Sequence, residues 1–304
     1  MRNTELINIE PPPSAEHKFN FRGRFTGLAA TLGPVVLWML AFFIVPIFMI
    51  VVYSFCTRDD VGKISYTFTL GNFSRFFDPM YLKILWDSLV ISLATTVLCL
   101  LFGYPFAYFV ARSRKKYRTI LLMLIILPFW TNSLIRTYAW IILLRTEGII
   151  NTYMMNLHLI KEPLHMLYNQ GAVLLGMVYT MFPFMVLPLY STIEKLDFSL
   201  LEAASDLGAR RKDTFVRVTL PLTKSGILSG CLLVFVPTLG LFFIPDLMGG
   251  SKITLVSNLI KNQFLASRNW PFGAAISIII MLIMFLIMRL FTKLGGSRDK
   301  MEVM

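Results

Sequence analysis

Residues 199–221 decide the fold, and they read Ser-Leu-Leu-Glu-Ala-Ala-Ser-Asp-Leu-Gly-Ala-Arg-Arg-Lys-Asp-Thr-Phe-Val-Arg-Val-Thr-Leu-Pro. This charged stretch lies between an apolar run that ends at Ile193 and another that begins at Ser225. Ser199 and Glu202 have the spacing of a capping box, in which each side chain bonds backbone N–H groups at a helix start. Gly208 suits the helix end, where a positive φ is favoured. The stretch therefore predicts a short helix outside the membrane.

A second helical stretch, 210–218, precedes Pro221, which suits the first turn of the next span. Two short helices around a glycine predict a compact knob joined to a membrane helix. A transporter needs such a knob if a cytoplasmic partner is to pull on the span. A solvated loop is the alternative that the residues leave open.

Uncharged stretches on both sides of this knob predict six transmembrane helices, since each can supply the ~20 apolar residues that cross a ~30 Å hydrocarbon core. They are 25–57, 88–111, 119–144 (interrupted by Arg136), a run from about 171 to 193, 225–245 and 269–288. Gly226 and Gly230 begin the fifth run with a small-xxx-small spacing that allows close helix packing.

Composition supports a lipid-facing protein. Hydrophobic residues make up 56% of the 304 and charged residues only 15%, against roughly 25% charged in ordinary soluble domains. One or two soluble cores cannot bury that much apolar surface.

The net charge of +12 orients the spans. The segments 1–24, 112–118, 194–224 and 289–304 carry 19 Lys and Arg, whereas the opposite loops carry 9. Because positive loops stay inside, both termini are predicted to be cytoplasmic. The charge then serves topology and contact with anionic lipid, and a nucleic-acid partner is not expected.

The predicted organisation is a polar cytoplasmic tail (1–27), a transmembrane domain (28–294) containing the loop 194–224, and a short cytoplasmic tail (295–304). Three scattered cysteines favour neither a metal site nor a disulfide framework. The sequence contains no phosphate-binding loop of the G-x-x-x-x-G-K-[ST] type, so we expect no cofactor in this chain and no ATP hydrolysis by it.

The knob resembles the signature E-A-A-x3-G-x9-I-x-L-P of the permeases of binding-protein-dependent ABC importers. Glu202, Ala203, Ala204, Gly208, Leu220 and Pro221 match it, and Val218 stands where the signature has isoleucine. The resemblance implies a type I importer permease fold, with these residues contacting or shaping the contact with an ATP-hydrolysing subunit. ATP and Mg would be bound by that partner.

Further motifs resemble the first permease subunit of spermidine/putrescine importers. They are 128–138, 183–190, 193–197, 246–250 and 269–273, within a likeness that runs from about 35 to 293. The resemblance implies a bacterial inner-membrane protein that works with a homologous second permease, two ATPase copies and an extracytoplasmic polyamine-binding protein.

A polyamine path should offer carboxylates and aromatic faces, each aromatic worth roughly 0.5–2 kcal/mol to a cation. Asp246 is predicted ~31 Å up the fifth helix, at the outer mouth. Asp87, at the start of the second span, is a weaker candidate of the same kind. For both, a solvated aspartate outside the path is the alternative.

Arg136 is predicted ~26 Å along the third helix, near the outer boundary, with a structural or gate-pairing role. Further path candidates are Trp130, Asn132, Tyr138, Tyr179 and Tyr190, for which helix packing or an interfacial aromatic belt is an equal alternative.

Other functions remain as alternatives. An importer of another small solute, such as an amino-acid derivative or an iron chelate, fits the same knob. A secondary transporter should show inverted repeats and mid-membrane charges, and the sequence has neither. A structural scaffold leaves the glycine-broken loop without a purpose.

Overall fold

A computed structural model describes residues 32–59, 63–197 and 199–295. The predicted tail 1–27 and almost all of the tail 295–304 lie outside these ranges. The described residues divide into two units between Met49 and Ile50. Helices dominate the described residues, and Thr57–Arg58 (β1) pairs with Ile64–Ser65 (β2) as a short antiparallel ribbon.

The described helices, numbered in chain order, are α1 (Leu32–Ser54), α2 (Gly71–Phe76), α3 (Pro79–Arg112), α4 (Lys115–Ile126), α5 (Ser133–Leu144), α6 (Ile149–Asn156), α7 (Gln170–Glu194), α8 (Ser199–Asp206), α9 (Arg211–Leu222), α10 (Lys224–Gly240), α11 (Phe243–Met248), α12 (Val256–Leu265) and α13 (Trp270–Gly295). The described residues also contain two 3-10 turns, Leu127–Trp130 and Gly250–Lys252. Two π-helical segments lie within the helices, Leu40–Ile44 in α1 and Phe215–Thr219 in α9.

Four of these helices, α1, α3, α7 and α13, are long and apolar enough to cross a membrane unbroken. Two further spans exist only as bent pairs, with a 96° bend after Trp130 and a 66° bend after Leu222. Six spans are therefore present if each bent pair counts as one. The break after Trp130 lies within the predicted third span, whereas the bend after Leu222 precedes the predicted start of the fifth span at Ser225.

The third span breaks for a local reason. Pro128 lacks an N–H, and the chain tightens there into a 3-10 turn. Thr131 is then extended (ψ 150°), and Asn132 Oδ1 accepts a hydrogen bond from the N–H of Leu134 at 2.8 Å, which starts α5. Arg136 therefore belongs to a new helix, and the straight rise predicted for it does not apply.

The fifth span ends at Gly240, before the predicted Pro245, and side chains of a later helix bind the two carbonyls that follow its end. Leu241 follows α10 in an extended conformation, and its carbonyl accepts from Ser257 Oγ at 2.9 Å. The carbonyl of Phe242 accepts from Asn258 Nδ2 at 2.8 Å. Asp246 consequently lies on the separate helix α11, and its predicted place on a continuous fifth helix is wrong.

Helices α3, α7 and α10 form the centre of the second unit, around buried Cys99, Met185, Leu189 and Val234. A β-carbon placed on Gly226 would lie 2.5 Å from Thr192 Oγ1, and one on Gly230 would lie 2.7 Å from Met185 Sδ. These glycines thus let α10 approach α7 closely, which confirms the small-xxx-small prediction.

Two further clusters lie toward the other end of α10. Ile244 and Met248 of α11 pack with Met177 of α7. Phe272 of α13 packs with Tyr81 of α3. The 194–224 loop therefore precedes one end of α10, while α11 and α12 follow its other end.

Candidate functional site

The 194–224 loop contains the predicted first helix, but a different residue caps it. Helix α8 begins at Ser199 itself, and Asp197 Oδ1 accepts a hydrogen bond from the N–H of Ser199 at 3.0 Å. Hydrogen bonds from the N–H and hydroxyl of Ser199 lower the pKa of the Asp197 carboxyl below its usual range. The predicted capping box with Ser199 as cap is wrong, because an aspartate two residues earlier supplies the acceptor.

Gly208 closes this helix as the sequence predicts. Its φ is +83°, the left-handed conformation that glycine adopts without strain. The N–H of Ala209 reaches back to the carbonyl of Ala204 at 3.0 Å, as in a Schellman motif. The chain therefore turns sharply between two short helices.

The second helix is longer than predicted and ends differently. It runs over Arg211–Leu222, with a π-helical segment at Phe215–Thr219, and Thr223 separates it from α10. Pro221 therefore stands near the end of α9, before the bend, and its predicted place in the first turn of the fifth span is wrong.

The loop is fixed to the helix bundle by Tyr104 of α3. The Tyr104 hydroxyl lies 3.0 Å from Thr223 Oγ1, and its ring meets Phe215 edge-on at 5.6 Å. Tyr104 and Thr223 are both buried. Tyr104 therefore joins the loop both to α3 and to the residue that precedes α10.

Most residues of the predicted signature face outward. Glu202, Ala203, Gly208, Leu220 and Pro221 are exposed, and Ala204 is half-buried. Between the loop and α3 lies a cavity of about 780 Å³. Six of its lining side chains belong to Tyr104, Tyr108, Arg112, Glu202, Asp206 and Phe215.

Sequence reasoning missed Leu207, which is 89% exposed beside Gly208. It is exposed on the same short loop as Glu202, Ala203 and Gly208 of the predicted signature. The signal was present in the sequence, because Leu207 stands alone between Asp206 and Gly208 at a predicted helix end.

The structure does not bring all of the predicted path residues together. Trp130 is 83% exposed at the end of the 3-10 turn, and Tyr138 on α5 is also exposed. Asn132 already uses its side-chain oxygen to cap α5. Tyr190 lies far along α7 and packs against the central cluster, so the structure does not bring it to the others.

Tyr179 and Arg136 are brought together. The Arg136 guanidinium lies 4.6 Å from the ring centroid of Phe129 and 6.0 Å from that of Tyr179. Both line a mostly apolar cavity of about 380 Å³ among α3, α4 and α7. Nε and Nη1 of Arg136 are buried and have no hydrogen-bond partner among the described residues.

The two aspartate candidates lie near the same end of α3. Asp87 is in the third turn of α3, because that helix begins at Pro79 and not near Ser88 as predicted. Ser88 Oγ accepts from the N–H of Val256 at 2.8 Å, which joins α3 to α12. Helix α12 in turn carries Asn258 and Lys261, which both contact Asp246.

A family model described as "Binding-protein-dependent transport system inner membrane component" matches residues 103–297. The spermidine/putrescine transport system permease protein PotB of Escherichia coli (strain K12) is 49% identical over 266 residues, which are 88% of this chain and 97% of that protein. The protein of the same name from Haemophilus influenzae is 46% identical over 257 residues, which are 84% of this chain and 90% of that one.

Solved structures give the same architecture. A chain of a bacterial ABC transporter that imports the acidic polysaccharide alginate superposes with a TM-score of 0.67 at 19% identity, over 91% of this chain and 97% of that one. The same kind of transporter, in complex with its alginate-bound periplasmic protein, gives 0.68. At this identity the likeness establishes the fold, which is that of an ABC importer permease.

Proposed function

The chain belongs to the family of binding-protein-dependent transport system inner membrane components, and we propose that it forms part of the path by which polyamines enter the cell. It is a multi-pass inner-membrane protein, and its described residues include four unbroken helices and two bent pairs that are long and apolar enough to span a membrane. The polyamine cargo is proposed because the chain is 49% identical to a spermidine/putrescine permease along nearly the whole of that protein.

The fold by itself does not choose the cargo. A permease of the same architecture serves an acidic polysaccharide, whereas a polyamine is a cation, so the choice depends on side chains and not on helix arrangement. Asp246 with Phe242, and the exposed aromatic residues Trp130 and Tyr138, supply the carboxylate and ring faces that a polycation requires.

The proposal includes the assembly in which the chain works. A homologous second permease completes the path, two copies of an ATPase bind ATP and Mg on the cytoplasmic side, and an extracytoplasmic binding protein delivers the polyamine. The charge distribution favours a cytoplasmic location for both termini and the 194–224 loop, which supports this assembly. In this proposal the chain itself binds no nucleotide.

Energy reaches the path through the 194–224 loop. The outward-facing Glu202, Ala203 and Leu207 meet the ATPase, and closure of the ATPase dimer displaces the loop. Because Tyr104 joins the loop to α3 and to the start of α10, both helices move with it. Such rigid-body motion opens the path alternately to the two sides.

The test uses the complete complex reconstituted in lipid. ATPase activity is measured with the binding protein loaded with spermidine or putrescine, and with an amino-acid derivative or an iron chelate offered instead. We expect stimulation by the polyamines alone. Stimulation by another solute, with none from polyamines, would replace the cargo but leave the permease assignment intact.

A further inference from the structure

The carboxylate of Asp246 is held by two groups from one face of α12. The amide of Asn258 donates to Oδ1, and the ammonium of Lys261 contacts Oδ2. Asn258 and Lys261 are three residues apart, so a helix presents them side by side. A second hydrogen bond, from Asn258 Nδ2 to the carbonyl of Phe242 at 2.8 Å, fixes the amide in place.

An aromatic face completes the surroundings of the Lys261 ammonium. Its nitrogen lies 5.6 Å from the ring centroid of Phe242, whose side chain is 45% exposed. A primary ammonium thus sits between a carboxylate and an aromatic ring. These are the two groups that recognise alkylammonium ions.

The amide that holds the carboxylate is itself fixed in place. Asn258 is only 2% exposed, and its Nδ2 donates both to Asp246 and to the carbonyl of Phe242. Its Oδ1 is buried and has no hydrogen-bond partner among the described residues, the Lys261 ammonium included. Asn258 therefore serves the site by holding Asp246 and not by accepting from the ammonium.

We propose that Asp246, Phe242 and Asn258 form a binding site for a primary ammonium group, and that Lys261 occupies it as a tethered competitor. An amino group of the transported polyamine displaces Lys261 and takes its contacts. The inference rests on the proposed function, since it assigns a subsite to that cargo.

The exposure of the pair makes the exchange accessible. The side chains of Asp246 and Lys261 are 30% and 31% exposed, and such half-exposed ion pairs are weak. The ammonium of Lys261 can therefore swing into solvent at small cost. A polyamine has the same head group on a flexible chain, so one of its amino groups can make the contacts that Lys261 gives up.

The competing explanation is that Lys261 only holds α11 and α12 together. The two explanations predict opposite changes in polyamine affinity when Lys261 is removed. If Lys261 competes with the substrate, its removal strengthens polyamine binding. If Lys261 only holds α11 to α12, its removal loosens the site and weakens binding.

The experiment measures equilibrium binding of radiolabelled spermidine to the complete complex in nanodiscs, without the binding protein. If Lys261 occupies the carboxylate about nine-tenths of the time, Lys261→Met lowers the apparent dissociation constant about tenfold. Lys261→Gln, which also removes the charge, lowers it in the same direction. Lys261→Arg keeps a competitor and gives no gain, and Asp246→Asn weakens binding about tenfold or more.

Lys252→Met is the matched control, because Lys252 is an exposed lysine in the same segment, outside the site. It should leave the dissociation constant unchanged. If Lys252→Met and Lys261→Met strengthened spermidine binding equally, the loss of any nearby positive charge would explain the gain. That result would overturn the inference. So would unchanged or weaker binding in Lys261→Met, or failure of both Lys261→Met and Lys261→Gln to assemble.

Uptake by the wild type separates this inference from the proposed function. Wild-type spermidine uptake combined with no gain in Lys261→Met overturns the ammonium site alone. Absence of polyamine uptake by the wild type overturns the proposed cargo, and the site with it.

Discussion

Arg118 Nη1 and Glu194 Oε1 lie 2.5 Å apart and join the first turn of α4 to the last residue of α7. The other terminal nitrogen of Arg118 donates to the carbonyl of Ala111 at 2.7 Å, near the end of α3. One guanidinium therefore ties three helix ends together at the point where the 194–224 loop begins. The proposed coupling role of the loop therefore starts from a point that is held to the helix bundle.

Glu194→Gln should destabilise the assembled complex by up to about 1 kcal/mol, because the side chains of the pair are 25% and 40% exposed and solvent screens part of the attraction. Thermal unfolding of the purified complex measures the change. Asp213→Asn is the control, since it removes an ion pair with Arg217 that is 3.8 Å long and more exposed. Equal unfolding temperatures for the wild type and Glu194→Gln would show that the pair contributes nothing.

Gly208→Pro should abolish ATP-dependent uptake while leaving membrane insertion intact. Proline fixes φ at about −65°, whereas Gly208 requires +83°. Gly208→Ala tests the conformation separately, because a β-carbon there meets nothing within 4 Å. Its cost should be only the backbone strain of about 1–2 kcal/mol, with partial uptake.

Glu202→Lys should also abolish uptake, because it reverses the charge on the outward face of α8 that the proposal places against the ATPase. Insertion is checked by membrane fractionation, and uptake with radiolabelled spermidine. Asp213→Asn in the same loop serves again as control. Full uptake in both Gly208→Pro and Glu202→Lys would contradict the coupling role of the loop.

Local signals in the sequence were enough to predict the turn and the helix contact. The glycine at 208 follows a short helix, and only a residue free to adopt positive φ fits there. The spacing of Gly226 and Gly230 indicated a close approach without naming the partner. Met185 and Thr192 of α7 became visible as that partner only in the structure.

The break at Pro128 has a local cause, whereas the end of α10 could not be predicted from its own residues. The end of α10 depends on Ser257 and Asn258, which lie 16 residues further along and bond the carbonyls of Leu241 and Phe242. The apolar run that precedes Leu241 gives no indication of hydrogen-bond donors that lie so far along the chain. For the same reason the Asp246 site was incomplete in the sequence, although Asn258 and Lys261 have the spacing of one helix face.

Gly226→Ala and Gly230→Ala should each destabilise the complex by about 1–3 kcal/mol through overpacking against α7. The added β-carbon at Gly226 would also lie 3.0 Å from the backbone oxygen of Pro188, which cannot yield as a side-chain tip can. Gly240→Ala is the matched control, because a β-carbon there meets nothing within 4 Å. Thermal unfolding should separate them, and equal stability of all three variants would contradict the close packing of α10 on α7.

Arg136→Lys should destabilise the complex although it keeps the charge. The planar guanidinium lies over Phe129 and near Tyr179, and such contacts are worth about 0.5–2 kcal/mol. A lysine ammonium is compact and strongly hydrated, so it loses the stacking and is poorly accommodated in a mostly apolar cavity. Arg136→Met fills similar space without the charge, and we expect it to be more stable than Arg136→Lys.

Arg145→Lys is the control for this pair, because Arg145 is exposed just after α5 and its substitution should change the unfolding temperature little. The order of the two Arg136 variants decides what the guanidinium does. If Arg136→Met is the least stable and Arg136→Lys equals the wild type, the charge itself is required. In that case Nε and Nη1 of Arg136, which have no hydrogen-bond partner among the described residues, meet an acceptor from another subunit, and the stacking on Phe129 is secondary.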